Sequence, residues 1–162
     1  MSVRLVAFLV AMSLSAEVGA QQAPSASSMT LVDVRSADST IRIPAPTSIL
    51  VGADVAERLA RVAHRLATGA VGLKVFSGFR SAPGAHADGV AVDLTLVDLS
   101  RGTEIPMGSG YPGSDSVTAP APSGGREARY RELLRRVMTE EGFVADSARW
   151  WHYQLQPLAI SH

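Results

Sequence analysis

Cysteine is absent from the 162 residues, which removes thiol nucleophiles, thiolate-bound metals and disulfides from consideration. Net charge is absent too: 15 Lys and Arg balance 15 Asp and Glu. The balance holds without the first twenty residues, whose only charges are Arg4 and Glu17. The arginines are scattered and no dense basic and aromatic stripe accompanies them, so there is no nucleic-acid footprint. The chain also lacks internal repeats and long low-complexity tracts. No apolar run approaches the length of a membrane span.

With 46% hydrophobic residues, a chain of this size can build a core without metal or covalent staples. Any metal it holds is therefore a tool and not a scaffold. Arg4 precedes the apolar run from Leu5 to Met12, and Val18-Gly19-Ala20 has the small residues of a signal-peptidase site. Residues 1–20 read as an export signal, which implies a periplasmic or secreted protein; an ordinary N-terminal helix or strand is the alternative. Residues 21–28 are a small, polar lead-in, and residues 29–158 form a single domain.

Within that domain, Leu31 to Val34 and Ile41 to Ile43 read as short extended pieces, broken by Pro44 and Pro46. A helix over 55–67 follows from the stripe Val55, Leu59, Val62 and Leu66, with Asp54 as its cap, Glu57 as capping-box partner and Gly69 as its end. His64 falls off the stripe and reads as a surface histidine. Val71 to Phe76 and residues 91–97 read as strands, residues 98–125 as a loop-rich stretch, and 126–141 as a second helix stopped by Gly142. Trp150 to Leu155 reads as the last strand. Helices separated by strands favour an α+β fold over a bundle.

Three residues have the chemistry of a catalytic zinc site: His86, Asp93 seven positions later, and His152. Zinc takes imidazole and carboxylate ligands and, in catalytic sites, keeps a position open for water. Asp93 lies within a strand-like apolar segment, where a carboxylate is costly unless paired. Trp150 and Trp151 are candidates to wall a substrate cleft. Spacing alone leaves a second reading open, with core tryptophans, His86 a loop residue and His152 bonded locally. Arg80 also has two readings, as a cation aimed into a cleft to stabilise an oxyanion or as an exposed salt-bridge partner.

Five segments in order closely resemble the zinc D-Ala-D-Ala dipeptidases of the vancomycin-resistance type, within the D-Ala-D-Ala peptidase and Hedgehog-like group. They are Ser77-Gly78-Phe79-Arg80, His86 through Leu96, Pro106-Met107-Gly108-Ser109, Leu133 to Met138 with Gly142-Phe143, and Trp150-Trp151-His152-Tyr153. The resemblance covers about residues 29–156. It implies a small α+β domain with a central antiparallel sheet, flanking helices and a zinc cleft on the sheet's open side. It implies one Zn²⁺ held by His86, Asp93 and His152, with Arg80 stabilising the transition state. The implied substrate is a small D,D-dipeptide of bacterial cell-wall metabolism, with no obligate protein partner.

Two departures stand out. The last family motif reads Glu-Trp-Trp-His, whereas this chain has Arg149-Trp150-Trp151-His152, so an arginine occupies the position of the general base. Asp146, Glu140 and Glu141 are the nearby carboxylates. Only residues 81–85 separate Arg80 from His86, where relatives carry a longer insertion. The expectation is a zinc D,D-dipeptidase of uncertain competence; its rival is an exported zinc-containing module that binds D-Ala termini or a protein and does no useful catalysis.

Overall fold

The computed structural model describes residues 29–45, 47–112, 118, 119, 122 and 124–156. The segments read as an export signal and lead-in, 1–20 and 21–28, lie outside the described residues. The elements are β1 (Leu31–Asp33), α1 (Val34–Ala37), β2 (Leu50–Gly52), α2 (Ala53–Ala67), β3 (Val71–Ser77), β4 (Ala91–Asp98), β5 (Thr103–Glu104), α3 (Gly125–Glu140), β6 (Phe143–Ala145) and β7 (His152–Leu155). β1 and β2 form a small antiparallel pair. The main sheet is antiparallel in the order β3-β4-β7-β6, with β5 on β4. The fold is α+β with a central antiparallel sheet and flanking helices.

Strand alternation decides which side of the sheet becomes core. On β4, Val92, Leu94 and Leu96 join the hydrophobic core, as do Leu73 and Val75 of β3 and Tyr153 and Leu155 of β7. α2 covers this side with Val55, Leu59, Val62 and Leu66, the stripe read from sequence, and α3 adds Leu134, Val137 and Met138. Asp93 and Thr95 fall between the core positions of β4 and therefore on the opposite face, yet both are buried. Phe76 of β3 and His152 of β7 occupy alternate positions of the same kind.

Several expectations about element ends need correction. Asp54 does not cap α2. Gly52 is the N-cap, without a side-chain bond, and Asp54 lies in the first turn, where its charge suits the positive end of the helix. Glu57 instead pairs with Arg61 one turn on, at 2.6 Å. Val34 is helical because the Asp33 carboxylate accepts from the Arg35 amide at 2.8 Å and turns the chain. Ile41 to Ile43 contributes one bridge, in which Arg42 and β3 exchange backbone bonds with Leu73 and Val75, each 2.9 Å. β7 begins at His152; Trp150 and Trp151 precede it in a turn closed by the His152 amide donating to the Arg149 carbonyl at 3.0 Å.

The approach of β2 to the end of β3 requires glycine at 78. A Cβ there would lie 2.3 Å from the Leu50 carbonyl oxygen and 2.8 Å from Val51. The neighbouring Phe79 amide bonds that same carbonyl at 2.7 Å, fixing the segment that carries Arg80. Gly78→Ala is expected to cost about 1–3 kcal/mol by overpacking. A Cβ at Gly110 meets nothing within 4 Å, so Gly110→Ala should be close to neutral. Chemical denaturation of both variants checks the contrast, and equal midpoints would contradict it.

Candidate metal centre

One rung of the sheet builds the site. Asp93 stands opposite His152 on β7 and opposite Ser77 on β3, and directly paired residues project to the same side. The register shifts between Val75 and Ser77. A bulge of this kind re-aims the strand, and here it brings Ser77 level with Asp93. His86 arrives from the loop between β3 and β4. That loop is tied down by the Arg80 amide donating to the His86 carbonyl at 3.2 Å and by the Gly52 amide donating to the Gly89 carbonyl at 2.9 Å.

His86, Asp93 and His152 are all buried, and each offers a ligand atom within 4.8 Å of the others. His152 Nδ1 lies 2.8 Å from Asp93 Oδ1. His86 Nε2 faces Asp93 Oδ2 at 3.3 Å, an electrostatic approach without the alignment of a hydrogen bond. Neither ring nitrogen of His86 has a hydrogen-bond partner among the described residues. A buried polar group left this way costs about 1–3 kcal/mol, and an ion is one of the few groups that satisfies it. Two imidazoles and a carboxylate therefore fit a divalent metal.

Burial pushes the Asp93 carboxyl up, but the His152 hydrogen bond and the close approach and charge of His86 and His152 outweigh it, holding the group well below the usual carboxylate range. Two further donors reach Oδ2: the Tyr111 hydroxyl at 3.0 Å and the Arg80 guanidinium at 3.4 Å. Arg80 also donates twice to Ser77 Oγ, from Nε at 3.0 Å and from a terminal nitrogen at 2.8 Å. Its side chain is 37% exposed, so the guanidinium lies at the edge of the site with part of its surface open to solvent.

Arg149 folds back on Asp146 in a forked ion pair of 2.9 and 2.6 Å. Asp146 also accepts from the amides of Ala148 and Arg149 at 2.7 and 3.1 Å. Burial raises the Asp146 carboxyl, and these bonds more than offset it, so the carboxyl lies below its ordinary value. Glu140 and Glu141 are engaged elsewhere: Glu140 pairs with Arg65, and Glu141 with Arg61 at 2.9 Å and Arg65 at 3.2 Å. All three carboxylates near residue 149 in sequence are thus committed to arginines.

Trp150 separates two cavities. One, of about 370 Å³, is bordered by Tyr111, Thr95, Met107 and Ser109; the other, of about 490 Å³, by Arg131, Arg135, Asp146 and Tyr153. Trp151 lines neither. It is buried, with Trp150 and Tyr111 each meeting it edge-on at 5.5 and 6.0 Å. Of the paired cleft candidates, Trp150 is the one bordering open space, because the turn before β7 frees the two rings from strand alternation.

Sequence reasoning missed Tyr111. An aromatic between Gly110 and Pro112, in a loop with little reason to retain a large ring, was the available signal. Ser77 appeared only as part of a motif.

A family model described as D-Ala-D-Ala dipeptidase matches residues 70–161, over half the chain. D-alanyl-D-alanine dipeptidase of Enterococcus faecium is 38% identical over 84 residues, covering 51% of this chain and 42% of the relative. The enzyme of the same name from Enterococcus faecalis is 32% identical over 83 residues, covering 50% and 41%. That of Escherichia coli is 38% identical over 81 residues, covering 48% and 40%. The matched stretch spans about two-fifths of the length of these relatives.

The depressed Asp93 carboxyl has a consequence for stability. A carboxylate whose folded pKa is lowered stabilises the fold above its unfolded pKa, and the contribution is lost as pH falls toward the folded value. With a chelator present, wild type should lose more melting temperature than Asp93→Asn between about pH 5 and about pH 2. Parallel losses in the two proteins would contradict the assignment.

Proposed function

Because the chain belongs to the D-Ala-D-Ala dipeptidase family, we propose that it is a zinc peptidase acting on small D,D-dipeptides of cell-wall metabolism, with turnover limited by Arg149. The observation that carries this reading is the buried His86, Asp93 and His152 cluster, in which both His86 nitrogens are unsatisfied. A Zn²⁺ ion held at that cluster would supply Lewis acidity for the scissile carbonyl and for a water. His86, Asp93 and His152 serve as its ligands. Arg80, braced by Ser77, presents N–H donors and positive charge to the oxyanion as it develops. Trp150, which borders the cavity that Tyr111 also lines, forms part of the wall against which the dipeptide lies.

The proton transfers are the weak part of this machinery. Arginine accepts no proton near neutral pH, and Arg149 and Asp146 neutralise one another. Loss of a positioned acid–base group costs a factor of about 10² to 10⁴. That same pair favours a second reading, a zinc-containing module that binds D-Ala termini or a protein without useful turnover. In either case the Arg4 and Leu5 to Met12 pattern, followed by Ala20, supports export, consistent with a cell-wall ligand.

Metal analysis should find one zinc per chain in wild type and loss of it in His86→Ala. Equal content in both, or none in either, would reject the ligand set. On a peptidase panel, D-Ala-D-Ala should be cleaved in preference to L-Ala-L-Ala, and the reverse preference would overturn the substrate class. Binding of D-Ala-D-Ala without cleavage would favour the second reading.

Repair of position 149 is the complementary test. Arg149→Glu restores a proton acceptor and should raise kcat/KM on D-Ala-D-Ala above that of Arg149→Gln, by up to about 10²- to 10⁴-fold, at matched zinc occupancy. If the two variants are equal, the missing base is not what limits the protein.

A further inference from the structure

The metal reading leaves one group beside the ligands without a role, the hydroxyl of Tyr111. We infer that Tyr111 is a positioning residue for Asp93, holding the carboxylate in the orientation that receives the metal; the inference rests on the metal reading above.

The hydroxyl donates to Asp93 Oδ2 at 3.0 Å, closer than His86 at 3.3 Å or Arg80 at 3.4 Å. Its chemistry also differs from theirs. His86 is itself a metal ligand, and Arg80 carries a positive charge that opposes a divalent cation at close range. A neutral phenol holds the carboxylate without that repulsion. The Tyr111 hydroxyl on Oδ2 restrains rotation of the carboxylate about its final bond without itself being a ligand.

The tyrosine is itself held in place. Its ring stacks on Phe76 at 4.3 Å with an interplanar angle of 1°, and Trp151 meets it edge-on at 6.0 Å. The loop leading to it is anchored by Arg131, which donates to the Met107 carbonyl at 2.6 Å and to Ser109 Oγ at 3.2 Å. The Trp150 indole N–H donates to the same Ser109 hydroxyl at 2.9 Å. Phe76 belongs to the strand that bulges to bring Ser77 level with Asp93. The strand rung and the 106–112 loop thus converge on one carboxylate. Hydrogen-bond partners of metal ligands fix ligand orientation and raise donor strength, and their loss typically weakens affinity about 10- to 100-fold.

The test is zinc affinity by competition with a chromophoric chelator, for wild type, Tyr111→Phe, Tyr111→Leu and His86→Ala, each below its melting transition. Cobalt-substituted protein supplies a visible ligand-field spectrum as a readout independent of turnover. Tyr111→Phe keeps the ring and removes only the hydroxyl. It should bind zinc about 10- to 100-fold more weakly than wild type, with a displaced cobalt band. Tyr111→Leu should lose at least as much affinity.

Tyr111→Phe indistinguishable from wild type in affinity and cobalt spectrum would overturn the inference while leaving the metal reading intact. The same holds if only Tyr111→Leu weakens binding, since packing rather than the hydroxyl would then matter. If wild type and His86→Ala both fail to bind zinc, the metal reading falls and this inference falls with it.

Discussion

Burial of the Asp93 carboxylate at the centre of the main sheet is the constraint on which the site depends. β4 pairs with β3, β7 and β5, so a charge at its third position is buried away from bulk water. A buried charge must be paired and hydrogen-bonded. That requirement is met by the residues that also give the site its chemistry: His152 across one pairing, His86 from the preceding loop, Arg80 just beyond β3, and Tyr111 from the loop after β5. Even with these partners the account is left open at His86, whose two ring nitrogens have no hydrogen-bond partner among the described residues.

The supporting side of the sheet makes this arrangement affordable in free energy. Val92, Leu94 and Leu96 interleave with Asp93 and Thr95, so the same strand secures the core through one face and presents the polar pair on the other. Around residue 149 the electrostatics run the other way. The short turn before β7 directs Arg149 onto Asp146, and that forked pair also organises the turn through two backbone amides. Arg149 therefore draws a neighbouring carboxylate into a structural role. The His86, Asp93 and His152 cluster and the Arg149–Asp146 pair lie on different parts of the framework, the first on a sheet rung and its adjoining loop and the second on a turn.

Much of this was legible in the sequence where the physical signal is local and periodic. The stripe from Val55 to Leu66 specified α2, and the apolar run broken by Asp93 marked both the central strand and its unusual residue. The motif order brought His86, Asp93, His152 and Arg80 into one hypothesis, and the structure places these four together. What was not legible depends on distant partners. β2, β5 and β6 are two or three residues long and exist as strands only through pairing with β1, β4 and β7. Val34 looked like strand until Asp33 is seen to cap the next turn. Trp150 and Trp151 looked like alternating strand residues, but the strand begins after them. Tyr111 was invisible because its importance comes from Phe76, Trp151 and Asp93, none of them its sequence neighbours.

The central claim is that one buried rung and its adjoining loop form a zinc centre of two imidazoles and one carboxylate. X-ray absorption at the zinc edge of the loaded protein tests it most directly. The account predicts a first shell of light atoms at about 2.0–2.2 Å, with the outer-shell scattering of two imidazole rings, reduced in His86→Ala. A shell of oxygen atoms without imidazole scattering, unchanged by that substitution, would contradict it.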